Sequence, residues 1–288
     1  MKKIALLALI LSLSLLSSIV FCAPENNSGR IPLQFRASID SDEITSILNE
    51  LDNNTLVIFD IDYTLLRSKT SLGTPEWFSH LMYREMAKGK TNEEGYHKWY
   101  PIWMKSQQFN EIELMDRKIP KLLEFIKKKK GSYIGLTHRN PVAAEMTEQQ
   151  FSKLGIKFEK SFPYKVQYAS ALKIPALYQN GVLYCHDFNE KGVVFLEWFY
   201  AIQKQLGKCH FKKIVFIDDA GRNVASMAFA VKALGLQYIG VRYSAADKIK
   251  PPLNRKLVEQ QAKILRAEYP EEKTQKLLMD SQNRLVKS

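Results

Sequence analysis

The stretch Val57-Ile58-Phe59-Asp60-Ile61-Asp62-Tyr63-Thr64-Leu65-Leu66 sets three apolar residues directly before two aspartates spaced one residue apart, then a threonine and two leucines. An unbroken apolar run this short reads as a strand buried on both faces of a parallel sheet, with the carboxylates delivered at its C-terminal end. Open α/β sheets bind ligands at that edge, and carboxylates placed there without a Lys or Arg in the strand invite a hard cation. An acidic turn capping the next element fits the same residues, so the reading rests on whether the pattern recurs.

It recurs twice, and a misplaced cation makes a fourth station. Ser132-Tyr133-Ile134-Gly135-Leu136-Thr137 is a second buried strand, ending in a hydroxyl and followed by Asn140-Pro141, a helix start with Asn140 as cap. Lys213-Ile214-Val215-Phe216-Ile217 runs into Asp218-Asp219, with Asn223 in the helix that follows. Between these, Asn189-Glu190-Lys191-Gly192 opens an apolar helix with a cation in its first turn, against the helix dipole. Such a breach of local rules is more frequent at functional sites, although Glu190 as a neutralising neighbour accounts for it equally well.

The segments between these stations read as helices and short strands. Ser41-Asp42-Glu43 predicts a helix to about Asn53 with Ser41 as its cap, and residues 24–38 read as an irregular tether. Thr74-Pro75-Glu76 opens a helix whose Trp77, Phe78, Leu81 and Met82 recur at helical spacing, within an insert of residues 66–118 that shows no strong strand. The insert's aromatics, including Tyr96, Trp99, Tyr100 and Trp103, are expected mainly as its own core, the remainder lining a pocket. The spacing of His80 and His97 matches no metal site. Residues 119–130 form a helix ended by Gly131, and Gln179-Asn180-Gly181 a hairpin turn. Residues 247–288 read as a charged helical tail with solvated faces.

At 288 residues, 45% of them hydrophobic, the chain can bury a substantial core. Its net charge of +12 favours anionic partners, but no module interleaving basic and aromatic residues points to nucleic acid, and none is expected. Lys2-Lys3 followed by the apolar run to Phe21 has the form of a secretory signal over residues 1–22, with the mature chain starting near Ala23. The protein is therefore expected in the periplasm or outside the cell, with no stable membrane span after cleavage. Lipidation at Cys22 and an uncleaved anchor are the competing readings of that segment. Beyond Cys22, Cys185 and Cys209 are too few for a disulfide scaffold, though an exported protein could join the pair.

In order and residue type the four stations resemble the motifs of the haloacid dehalogenase (HAD) superfamily, chiefly its phosphatases, over about Leu56 to Tyr243. Asp60, Asp62, Thr64 and Leu65 match the first motif, Thr137 the second, Lys191 the third, and Asp218-Asp219 with Asn223 the fourth. Within it the chain looks like an exported bacterial member with no assigned substrate. The resemblance implies a doubly wound, mostly parallel, Rossmann-like sheet over residues 41–246, with the insert as a helical cap between the first and second motifs. It implies a magnesium-dependent phosphomonoester hydrolase acting through an aspartyl phosphate. Asp60 would be the nucleophile, Asp62 the acid and base, and Thr137 and Lys191 the groups holding the phosphoryl oxygens. Magnesium would be held by Asp60, the main-chain carbonyl of Asp62, and Asp218 or Asp219. The expected partner is a small-molecule phosphoester. The alternative is a secreted binding or effector protein whose turnover is lost or vestigial, engaging a host or envelope partner through its basic tail; a hydrolysis assay separates the two.

Overall fold

The structure is a computed structural model that describes residues 33–158, 162, 168–172, 174–207, 210–250 and 252–286. The proposed signal over 1–22, Cys22 and Cys209 lie outside the described residues.

Strand β2 (Thr55–Phe59) is buried at every position and lies near the centre of the main sheet. It pairs in parallel with β5 (Ser132–Thr137) on one side and β9 (Lys213–Asp218) on the other. Beyond β9 come β10 (Gln237–Tyr243) and then β1 (Leu33–Ser38), both parallel. Beyond β5 come β8 (Val182–Tyr184), parallel, and then β7 (Leu177–Gln179) and β6 (Tyr168–Ala169), each antiparallel to its neighbour. The β7–β8 hairpin turns at Asn180 and Gly181, both with positive φ, as the Asn-Gly pair predicts.

Alternation along the strands divides the core between two faces. Val57 and Phe59 face one way, onto Ile44 of α1 (Ser41–Ile47), Leu122 and Ile126 of α4 (Ile119–Lys128) and Phe151 of α5 (Ala144–Leu154). Leu56 and Ile58 face the other way, onto Phe195 and Trp198 of α6 (Lys191–Leu206) and Met227 and Val231 of α7 (Gly221–Ala233). The architecture is α/β, a mostly parallel sheet covered by helices on both faces.

A third core forms outside the sheet. The insert contributes α2 (Pro75–Met86) and α3 (Asn92–Phe109), capped by the Thr74 and Thr91 side chains. After the short α8 (Ala246–Ile249) follow α9 (Arg255–Arg266) and α10 (Glu271–Val286). Val258, Ala262, Leu265 and Leu278 from these last two helices pack with Trp77, Leu81, Trp99 and Trp103 of the insert. The Trp77 indole N–H donates to Gln261 at 3.0 Å. The segment read as solvated thus contributes an apolar stripe to the insert's core, because a helix rich in charge overall can still carry one buried face.

Three further expectations need correction. Residues 33–38, read as tether, are edge strand β1, whose first five residues are exposed: main-chain pairing to β10 holds it, so its side chains need no apolar pattern. Asp40 rather than Ser41 caps α1, accepting from the amides of Asp42 and Glu43, and the helix ends at Ile47. The insert also contains a two-stranded ribbon at its base, β3 (Leu66–Ser68) with β4 (Ile112–Leu114), too short for any period to register.

If α9 belongs to the insert's core, Leu265→Ala should destabilise the protein by about 3 kcal/mol in urea unfolding. The exposed Lys263→Ala should change it by no more than about 0.5 kcal/mol. Equal, negligible effects would mean that the C-terminal helices stand free.

Candidate functional site

Because β2 and β9 run parallel in register, Phe59 opposite Ile217, the residues that follow each strand leave the sheet at one place. The Asp60 amide donates to Ile217 O at 2.9 Å, and carboxylate oxygens of Asp60, Asp218 and Asp219 come within 4.8 Å of one another. Three anions this close repel strongly, more so out of water, and need a cation.

Lys191 supplies one. Its Nζ donates to Asp60 Oδ1 and, at 2.7 Å, to Asp218 Oδ2, and the side chain is 1% exposed. The cation in the first turn of α6 therefore answers charges brought in from other elements. Glu190, the alternative partner, instead accepts from Ser226 at 3.2 Å. Gly192 makes the placement fit, since a Cβ there would come within 2.4 Å of Ser226 O on α7. Burial alone would lower the pKa of Lys191, but Asp218 and Asp60 more than reverse this and hold it above its ordinary value. Burial raises the pKa of Asp60, with Lys191 opposing and Asp218 adding to the rise.

Hydroxyls and amides complete the floor. Thr64 Oγ1 donates to Asp60 Oδ2 at 3.2 Å and accepts from the Asp219 amide at 3.1 Å. Asn223 Nδ2 reaches both oxygens of Asp218. Thr137 is buried, and its hydroxyl oxygen accepts from the Arg139 amide at 3.1 Å, which leaves its proton to donate. Tyr63, between Asp62 and Thr64, has φ +63°, a strained conformation for an aromatic residue and one that clusters at working sites.

Two cations that sequence reasoning left without a role occupy the rim. Arg139, 5% exposed, forks onto Asp62 at 2.9 and 2.8 Å while its third nitrogen donates to Thr147 and Gln150. Such a bidentate pair is a strong one and holds the Asp62 carboxylate away from the other three. Lys250, just after α8, donates to Asp219 Oδ2 at 3.0 Å and lies 4.4 Å above the ring of Tyr63. Asp187 was also missed. It lies three residues past β8, whose C-terminal end shares the edge of β5, so the strand-end rule was available to find it. Desolvation by the surrounding cleft wall raises its pKa, with a hydrogen bond from Tyr96 opposing and Asp62 adding to the rise. His138 is pushed down to about 3 by burial and by Lys191 and Arg222, and stays neutral.

A cleft of about 320 Å³ opens over this group. Its floor is formed by Asp60, Asp62, Thr137, Lys191 and Asp219, and Pro75, Phe78, Tyr100 and Trp103 of the insert form its wall. The floor suits a divalent metal ion. Asp60, Asp218 and Asp219 are oxygen donors already converged on one point, the donor type that hard cations take. Asp62 was expected to contribute only its main-chain carbonyl, so the engagement of its carboxylate by Arg139 leaves that expectation open. His80 and His97 lie near Glu259 and Glu93 respectively and do not converge.

Residues 39–284 match the family described as Protein of unknown function (DUF2608). The chain belongs to this family. Two relatives, each described as "Putative outer membrane protein", come from Chlamydia trachomatis serovar D and Chlamydia pneumoniae. Both are 27% identical to the chain, covering 73% and 70% of it and 77% and 73% of their own lengths. A third with that description, from Chlamydia muridarum, is 24% identical over 73% of the chain and 76% of its own length. No solved structure matches. The haloacid dehalogenase assignment is corrected accordingly: the family matched across the chain is DUF2608. Acids and a hydroxyl at strand ends, with a lysine at a helix start beside them, are what this kind of sheet edge offers to any anion or metal site, so motifs of that length do not mark one superfamily.

Lys191→Met would leave Asp60 and Asp218 buried against each other without a counter-charge. A loss of about 3–5 kcal/mol in chemical denaturation is expected, with part of it recovered when Asp60→Asn is added. Equal stability of the single variant and the unaltered protein would show that the ion triad is not formed.

Proposed function

We propose that this DUF2608 protein is an exported, metal-dependent phosphomonoester hydrolase in which Asp60 is the nucleophile. The observation that carries this reading is the convergence of Asp60, Asp218 and Asp219 around buried Lys191 at the floor of a cleft. Phosphoryl transfer asks mainly for positioning and charge stabilisation, and a carboxylate nucleophile divides hydrolysis into two easier steps. Export is supported by the Lys2-Lys3 and apolar leader and by the outer-membrane descriptions of the chlamydial relatives. No helix among the described residues is long and apolar enough to cross a membrane.

A divalent ion held by Asp60, Asp218 and Asp219 would neutralise charge on the phosphoryl group. Lys191 and the Thr137 hydroxyl are placed to donate to the phosphoryl oxygens, and Lys191 also offsets repulsion between Asp60 and the incoming dianion. The Asp60 carboxylate attacks phosphorus, and the bond from phosphorus to the ester oxygen breaks. Asp62 gives that oxygen its proton and later takes one from the water that cleaves the aspartyl phosphate. Arg139 already engages both oxygens of Asp62, so this pair would have to open for a proton to reach the leaving oxygen. Esters with good leaving groups should therefore turn over fastest.

A second reading has an observation of its own. Arg139 and Lys250 already occupy Asp62 and Asp219, an arrangement that also suits a secreted binding or effector protein whose turnover is vestigial.

Two measurements decide between them. With nitrophenyl phosphate and magnesium, Asp60→Asn should lower kcat about a thousandfold or more with the fold unchanged by circular dichroism. Asp62→Asn should instead accumulate phosphate on the peptide carrying Asp60, read by acid quench and mass spectrometry. Turnover that survives Asp60→Asn would place the chemistry elsewhere, and no turnover by the unaltered chain would favour the binding protein.

Metal binding has a separate readout. Millimolar magnesium should raise the melting temperature of the unaltered protein, chelator should reverse the rise, and Asp219→Asn should abolish it. Calcium should not support turnover, because its looser coordination misplaces the nucleophile. A melting temperature indifferent to magnesium would remove the metal from the scheme.

A further inference from the structure

The floor of the cleft accounts for a phosphoryl group and leaves the opposite wall unexplained. That wall is aromatic and belongs to the insert: Phe78, Tyr100 and Trp103 line it, with Pro75 at its edge. Tyr96, Tyr100 and Trp103 form a continuous stack, with centroids 4.7 and 5.4 Å apart and planes inclined at 16° and 27°. Phe78 meets all three rings at 5.8 to 6.2 Å and stays only partly buried. Trp103 is fixed by its indole N–H on Gly73 O at 2.9 Å, and Tyr96 by Asn140 at 3.1 Å. The stack is held from both ends.

Tyr100, in the middle, is 8% exposed and lines the cleft with its ring, while its hydroxyl oxygen is buried away from it. A rigid aromatic wall recognises a planar ring, because flat π-surfaces pack against one another without ordering flexible groups. The cleft volume lies at the lower end of the range for small-molecule sites, enough for a phosphate with a ring attached.

We propose that this wall is the leaving-group subsite, and that the ester's leaving group is a planar aromatic ring. The proposal rests on the phosphoester reading above and adds the class of substrate to it. The anionic end of the ligand lies over Lys191 and Thr137, and its ring lies against Phe78, Tyr100 and Trp103.

Phosphonates test this without the complication of leaving-group acidity. Benzylphosphonate and cyclohexylmethylphosphonate differ in planarity, and each can be assayed as an inhibitor of nitrophenyl phosphate hydrolysis by the mature chain with magnesium. Benzyl should inhibit about fivefold more tightly than cyclohexylmethyl. Equal inhibition by the two would overturn the aromatic subsite. If the unaltered chain hydrolyses nothing, the phosphoester reading fails on its own, and saturation-transfer NMR with the same compounds still decides the wall. Transfer to benzylphosphonate but not to cyclohexylmethylphosphonate would uphold it, and equal transfer or none would overturn it.

Discussion

The ion triad of Lys191 with Asp60 and Asp218 is the constraint on which the rest of the site depends. Three charged groups, all nearly or fully removed from solvent, stay together because each supplies what the others lack. Removing Lys191 leaves two buried carboxylates uncompensated, whereas the intact set adds little to net stability once desolvation is counted. Its value lies in placement. Asp60 and Asp218 are fixed by adjacent parallel strands, so they stand close together whether or not anything separates them, and Lys191 makes that approach tolerable. The helix start that delivers Lys191 needs a glycine at the next position so that α6 and α7 can come together.

A second tier of charge surrounds the triad and ties the sheet to the insert. Arg139 reaches from the end of β5 to Asp62 and back to α5, so the segment after the first motif is fastened to the opposite side of the cleft. Lys250 reaches Asp219 from the chain that leads into α9, and the Arg67 guanidinium donates to Ile249 O at 3.3 Å beside it. The last helices in turn share a core with α2 and α3, which carry the aromatic wall. The cleft therefore has a floor set by the sheet and a wall set by helices from two distant parts of the chain.

Much of the floor was readable in one dimension. Asp60, Asp218 and Asp219 follow apolar runs that can only be buried strands, and strand ends in a parallel sheet share an edge. Lys191 was visible as a charge placed against the helix dipole. Arg139 was not legible in the same way, because a basic residue just past a strand looks the same whether it faces solvent or doubles back onto a carboxylate far away in the chain. Motif order was the weakest guide of all: it pointed to the haloacid dehalogenase superfamily, while the match across residues 39–284 is to DUF2608. Short motifs report the chemistry that a sheet edge can hold, and ancestry is recorded in the whole chain.

By itself the sequence determined the α/β class, the strands that form the centre of the sheet, the hairpin at Asn180-Gly181 and the residue types gathered at one edge. All of these follow from local periodicity, turn chemistry and the burial of apolar runs. Tertiary structure alone decided which cation answers which carboxylate, that Leu33–Ser38 extends the sheet, and that the charged C-terminal helices complete the insert's core. It also decided that Phe78, Tyr100 and Trp103 of the insert line the cleft. The reason is physical: edge strands are held by main-chain bonds that carry no side-chain signature, and ion pairs and cleft linings are defined by distances between residues far apart in the chain.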